Sequence, residues 1–293
     1  MDIVVSKYAG FCGGVRRADE AIKGLIASRP DGGLIFTIGP LIHNEIYNEE
    51  LRKCGVLSVS IDDVPRIVNE NPNRKLSFVI RTHGIEKSSR EYLEGLAKLN
   101  PDISVVDMTC PSVRRIQKIA EDMTSERTHF VLFGSESHAE VKAAITYANG
   151  DKTVISSPEE AERLEIGDKI PILCSQTTQN LLLFVKIKKI FKKRFTNAQI
   201  FDTICSVTEN RQSEALSLAR ECDAMIVIGS QDSSNTKKLY ELCKTECENT
   251  HLISAHNCPP ITLSGDIKKV GITAGASTPD GIILEVYKSY GKL

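Results

Sequence analysis

The chain has 293 residues, 41% of them apolar and 26% charged, which suits a globular protein of two or three domains and excludes a disordered one. Its 37 Lys and Arg against 38 Asp and Glu leave a net charge of −1, without the basic excess of a nucleic-acid binder. No apolar run approaches the ~20 residues of a membrane span, and MDIVVSKYAGFC lacks the regions of a secretory signal, so the sequence reads as cytoplasmic.

In chain order, IVVSKYAGFC is a strand ending at Cys12, and CGGVRRA opens a helix. LIFTIG is a strand closing at Gly39, before PLI-His43-Asn44; LSVS at 57–60 is a short strand, and SFVIRTHG ends in a loop carrying His83. GIEKSSREYLEGLAKL has apolar positions at helical spacing. ISVVDMTC ends at Cys110, and Pro111 suits the first turn of a helix, where its missing N–H costs nothing. HFVLFG closes at Gly134, before SES-His138-Ala139-Glu140. Asn149-Gly150 reads as a helix stop, TVISS at 153–157 as a strand, and Ser157 with Glu160 as a capping box. PILCSQTT ends in Gln176, Thr177 and Thr178, and TQNLLLFVKIKKIFKKRF is amphipathic. QIFDTIC ends at Cys205, MIVIG closes at Gly229 before SQD-Ser233-Ser234-Asn235-Thr236, HLISA spans 251–255, and VGITAGAS carries Ser277.

These landmarks repeat. Cys110 follows Cys12 by 98 positions and Cys205 follows Cys110 by 95; Gly39, Gly134 and Gly229 are spaced by 95 and 95. Alternating apolar strands and amphipathic helices predict parallel sheets. We therefore expect an α/β protein of three repeats, residues 1–107, 108–202 and 203–293, each a small, mostly parallel sheet flanked by helices. A pseudo-threefold arrangement would bring the three cysteines to one point.

Nine cysteines in a reducing compartment are core residues, metal ligands or nucleophiles. Core cysteines have no reason to keep register, so the repeat singles out Cys12, Cys110 and Cys205, and leaves Cys54, Cys174, Cys222, Cys243, Cys247 and Cys258 as structural. Three thiolates without a CxxC pair do not suit a closed zinc site. They suit a 4Fe–4S cluster with one iron free of cysteine. Imidazoles, hydroxyls, an amide and helix N-termini at the other landmarks would make an anion cradle. Glu140 is then either a proton donor or a surface glutamate.

Together AGFCGGVRRA, GPLIHN, RTHG, DMTCP, HAEV, SQTT, DTIC, GSQDSSNT and TAGAS resemble the 4-hydroxy-3-methylbut-2-enyl diphosphate reductase family over essentially the whole chain. The resemblance implies one 4Fe–4S cluster on Cys12, Cys110 and Cys205, and a two-electron, two-proton reductive dehydroxylation giving isopentenyl and dimethylallyl diphosphates. It implies that His43, His83, His138, Ser233, Ser234, Asn235 and Ser277 hold the diphosphate, with Gln176 and Thr178 lining the pocket. Thr177 would bond the substrate hydroxyl, Glu140 would feed it protons, and His138 would serve both catalysis and binding. Ala139 departs from the family's usual proline. The implied electron donor is reduced ferredoxin or flavodoxin, with no nucleic acid or membrane partner. A lyase using the iron only as a Lewis acid and a redox sensor are the alternatives.

Overall fold

The computed structural model describes residues 1–254, 263 and 267–290, so the end of the expected HLISA strand at Ala255, together with His256 and Cys258, lies outside the described residues. The chain forms two compact units: Met1–Arg16, Ile42–Glu50 and Cys205–Leu293 in one, Arg17–Leu41 and Leu51–Ile204 in the other. Among the described residues no helix is long and apolar enough to cross a membrane.

The strands are β1 (Asp2–Val5), β2 (Leu34–Ile38), β3 (Val56–Val59), β4 (Leu76–Ile80), β5 (Ile103–Asp107), β6 (Thr128–Phe133), β7 (Asp151–Ile155), β8 (Ile170–Ser175), β9 (Gln199–Ile200), β10 (Ala224–Ile228), β11 (Thr250–Ile253) and β12 (Lys269–Ala274). The helices are α1 (Gly13–Ala27), α2 (Glu45–Lys53), α3 (Val64–Glu70), α4 (Lys87–Leu99), α5 (Pro111–Met123), α6 (Ala139–Ile145), α7 (Pro158–Arg163), α8 (Leu181–Arg194), α9 (Ser206–Glu221), α10 (Ser234–Glu246) and α11 (Asp280–Tyr290).

The unit built around Arg17–Leu41 and Leu51–Ile204 holds two four-stranded sheets, ordered β3-β2-β4-β5 and β7-β6-β8-β9, with every pair parallel. All six residues of β6 are buried, as a central parallel strand covered on both faces requires. Alternation sends Phe130 and Leu132 toward Ile116, Ala120 and Val141, while Val131 and Phe133 face Phe184, Ile187 and Phe191. In the other sheet Phe36 and Phe78 stack with centroids 5.6 Å apart above Val64 and Leu93. Each such side chain contributes about 1.5–3 kcal/mol on full burial, against about 1 kcal/mol for an N-cap, so apolar faces rather than caps hold these helices in place.

The other unit carries one parallel sheet, ordered β11-β10-β12-β1. Ile226 and Ile228 pack with Ile272 and, from α11, Ile283 and Tyr290; Met225 and Val227 pack on the other face with Leu239 and Cys243.

All three sheets thus share one strand order, and in each the edge strand leads to a repeat cysteine: β5 to Cys110, β9 to Cys205, β1 to Cys12. The expected first repeat, residues 1–107, differs at its start, because residues 2–5 pair with β12 of the last third. β12 pairs with β10 on one side and with β1 on the other. Asp2 N donates to Lys268 O at 2.7 Å and Ser6 N to Ile272 O at 2.8 Å along the β1 side. Two local expectations also differ. Ser157 Oγ accepts from Glu160 N at 3.2 Å, but the Glu160 carboxylate bonds Ser156 N and Oγ instead of closing the box. Helix α6 ends at Ile145, before Asn149-Gly150, where Gly150 takes φ +74 in the turn to β7.

Candidate active site

The repeat cysteines occupy equivalent local positions. Cys110 and Cys205 are the N-caps of α5 and α9, and Cys12 immediately precedes α1. Each carbonyl accepts the first helical N–H, from Arg114, Glu209 and Arg16, all at 2.9 Å. Each of the three cysteines therefore sits at a helix N-terminus. Cys12 N donates to Ala276 O at 3.3 Å and Cys110 N to Thr82 O at 2.9 Å, fixing both to the loops after neighbouring strands. All three remain partly exposed, whereas Cys174, Cys222, Cys243 and Cys247 are buried. Burial pushes the Cys174 and Cys243 thiols up to about 12, and the Cys222 thiol up as well. Cys54 is exposed.

Within the unit containing Cys12, helix starts gather the expected polar groups. Asn44 caps α2, accepting from Tyr47 N at 3.0 Å, and its amide donates to Ser277 O at 2.9 Å; half-buried His43 precedes it. Ser233 caps α10 through Thr236 N, and Ser234 Oγ accepts from Lys238 Nζ at 2.9 Å. Asn235 is 5% exposed, and its buried Nδ2 has no hydrogen-bond partner among the described residues. Leaving such a donor unmet costs roughly 1–3 kcal/mol, so the Asn235 amide suits an acceptor from outside the protein.

Within the unit containing Cys110, Glu140 lies in the first turn of α6 and is 2% exposed, so it is not a surface glutamate. Its Oε1 accepts from Thr177 N at 2.6 Å and its Oε2 from Thr177 Oγ1 at 2.7 Å. His138 caps the helix by accepting from Glu140 N at Nδ1, 3.2 Å, and its ring meets that of His83 edge-on with centroids 5.5 Å apart. Gln176, wholly buried, accepts from Ser135 N at 3.1 Å and donates to Thr178 Oγ1 at 3.0 Å. Gly134 permits this assembly. A Cβ there would lie 2.6 Å from Val141 Cγ2 and 3.2 Å from Gln176 Cβ, wedging α6 from the loop that carries Thr177.

Arg211, which the sequence reading did not single out, is 2% exposed on α9. Burial pushes its guanidinium down to about 10, while the Cys12 and Cys205 thiols and then Glu214 pull it back up. A charged residue among the buried Thr208, Gln212 and Ala215 was the available signal.

A family model described as "LytB protein" matches residues 3–290. The chain belongs to the LytB family. Curated LytB relatives bear the name 4-hydroxy-3-methylbut-2-enyl diphosphate reductase. That of Helicobacter pylori (strain Shi470) is 40% identical over 286 residues, covering 98% of this chain and 97% of the relative. That of Campylobacter curvus (strain 525.92) is 39% identical over 294 residues, 100% of each. A solved structure of (E)-4-hydroxy-3-methyl-but-2-enyl diphosphate reductase, described as the terminal enzyme of the non-mevalonate pathway, is 31% identical and covers 100% of both chains with a TM-score of 0.66. The Plasmodium falciparum E-1-hydroxy-2-methyl-but-2-enyl-4-diphosphate reductase has a TM-score of 0.83 over 98% of this chain and 87% of its own; at 24% identity it speaks for the fold. Three small parallel sheets flanked by helices are thus the LytB architecture.

Proposed function

We propose that this LytB protein is an oxidoreductase of isoprenoid biosynthesis. It would convert (E)-4-hydroxy-3-methylbut-2-enyl diphosphate, with two electrons and two protons, into isopentenyl or dimethylallyl diphosphate and one water. The buried Glu140–Thr177 pair carries this reading, because it combines a proton-bearing group with a hydroxyl relay in a place from which water is excluded. Once a proton reaches Oε2 and the Thr177 hydroxyl turns to accept from it, Glu140 hands that proton to Thr177 Oγ1, which passes its own to the hydroxyl leaving the substrate. Hydroxide is a poor leaving group, so a placed acid is what the departure needs.

Cys12, Cys110 and Cys205 are assigned as the ligands of one 4Fe–4S cluster. The donor set fits: three partly exposed thiols, each at a helix N-terminus. When bound, such a cluster supplies one-electron transfer and Lewis acidity at the iron that no cysteine holds. His43, His83, His138, Ser233, Ser234, Asn235 and Ser277 are assigned to the diphosphate, with the unmet Asn235 amide as the firmest donor, and Gln176 and Thr178 to the pocket wall. Reduced ferredoxin or flavodoxin is the proposed donor. The eight described cysteines are all free thiols, in keeping with a cytoplasmic setting.

The test is anaerobic. Protein with about four irons and four sulfides per chain should consume the synthetic diphosphate with dithionite-reduced methyl viologen and release both products. A colourless zinc protein, or dehydration without electron uptake, overturns the reading; the second outcome favours a lyase.

A further inference from the structure

Arg211 is the buried charge that none of these roles uses. It projects from α9, the helix that begins at Cys205. Its Nη1 donates to Ala274 O at 2.5 Å and its Nη2 to Gly10 O at 2.8 Å. Gly10 lies two residues before Cys12, and Ala276, two residues after Ala274, accepts from Cys12 N. One side chain therefore ties the start of the Cys205 helix to both segments that place Cys12. Its Nε is buried with no hydrogen-bond partner among the described residues.

Such a group should not be left uncompensated. A buried ion costs several kcal/mol unless charge and hydrogen bonds repay it. Two carbonyl oxygens repay part of that. Glu214, a carboxylate that favours the charged Arg211, is engaged by Ser6 Oγ, Lys7 N and Tyr8 N, and among the described residues no ion pair joins it to the guanidinium. The Cys12 and Cys205 sulfurs also favour the charged guanidinium, and as ligands of a cluster they would carry negative charge beside it.

We propose that Arg211 is the positioning residue and counter-charge of the iron–sulfur cluster, setting the places of Cys12 and Cys205 and favouring the cluster's more reduced state. This rests on the cluster assignment above. A fixed positive charge stabilises the state with one more electron, so its removal should lower the reduction potential. Its second effect is mechanical: without the two carbonyl bonds, the Cys12 loop loses its tie to α9.

The experiment is a mediator-dye redox titration of anaerobically loaded wild type, Arg211→Gln, Arg211→Lys and, as a charge control on the same helix, Arg220→Gln. Arg220 is exposed and paired with Glu246. One electron passes from reduced dye to loaded protein, and no bond forms or breaks. We expect Arg211→Gln to shift the potential negative by about 59 mV, a tenfold change for one electron. Arg211→Lys should stay near wild type in potential while losing cluster faster to a chelator, and Arg220→Gln should match wild type in both. If Arg211→Gln does not load, Arg211→Lys should still load where Arg211→Met does not, with circular dichroism showing both apo chains folded. An unchanged potential in loaded Arg211→Gln, or equal failure of folded Lys and Met variants, overturns the proposal. A wild type that binds no cluster overturns the cluster assignment instead.

Discussion

Glu140→Gln separates proton delivery from every other role the carboxylate could have. In the wild type both carboxylate oxygens accept from Thr177, at 2.6 Å from its N–H and 2.7 Å from its hydroxyl. A glutamine can keep both contacts only in one orientation. Its Oε1 must face the Thr177 N–H, and its amide must then donate to Thr177 Oγ1. That reverses the hydroxyl hydrogen bond and leaves no transferable proton behind it. Because shape and both contacts survive, the folding cost should be about 1–2 kcal/mol, from exchanging charge-assisted for neutral hydrogen bonds. The catalytic cost should be larger, since a placed acid contributes roughly 10²–10⁴-fold, equivalent to about 2.7–5.4 kcal/mol of barrier. The assay is product formation by loaded protein with dithionite-reduced methyl viologen, alongside the cluster spectrum and substrate affinity. We expect kcat to fall at least ~10²-fold, with spectrum and affinity retained. Turnover within a few-fold of wild type would refute the relay and leave the diphosphate or another group as the proton source.

Ser at Cys12, Cys110 or Cys205 should each remove most bound iron, whereas Cys54→Ser should retain it; full iron content in Cys205→Ser would contradict its ligand role. Iodoacetamide at pH 8 should label Cys54 in folded apo protein while sparing Cys174 and Cys243, whose thiolate fractions at a pKa of about 12 are on the order of 10⁻⁴. Mass spectrometry reads the sites, and labelling of Cys174 without unfolding would show that its burial is wrong. Gly134→Ala should lower stability by roughly 1–3 kcal/mol through overpacking and cut kcat further than that loss alone explains, because the new methyl separates Glu140 from Thr177. Thermal melts with kinetics test it, and a fully active variant would remove the wedge argument.

The sequence carried the repeat because its landmarks do a repeated job. Gly39, Gly134 and Gly229 end the central strands and donate to Val59, Ile155 and Ile253 on the neighbouring strand at 2.8–2.9 Å, so each third must keep them in register. The cysteines likewise keep register as helix starts. Partner choice was less legible. IVV at the N-terminus is a strand by composition, but nothing local says that its neighbour is VGITA some 270 positions away. Glu140 could be placed at a helix start but not buried, since one turn of a seven-residue helix has no clear apolar stripe. Arg211 was hidden for a related reason: on an amphipathic helix a charge reads as solvent-facing until its carbonyl partners, Gly10 and Ala274, are known.

The pairing of β1 with β12 makes the order of synthesis matter. The sheets β3-β2-β4-β5 and β7-β6-β8-β9 have all their strands by Asp107 and Ile200, so each can close while the chain is still being made. β1 is made before the other strands of its sheet and must wait for Lys269–Ala274 before its backbone groups are met. Throughout that interval the nascent chain trails an unpaired strand, open to chaperones or to the same strand of another copy. Formation of this longest-range pairing is also the slowest kind of step to nucleate. Cys12, which follows β1, therefore reaches its place at Ala276 only after β12 and the loop beyond it have been made, so the topology of one sheet delays the placing of this cysteine by more than 260 residues of synthesis.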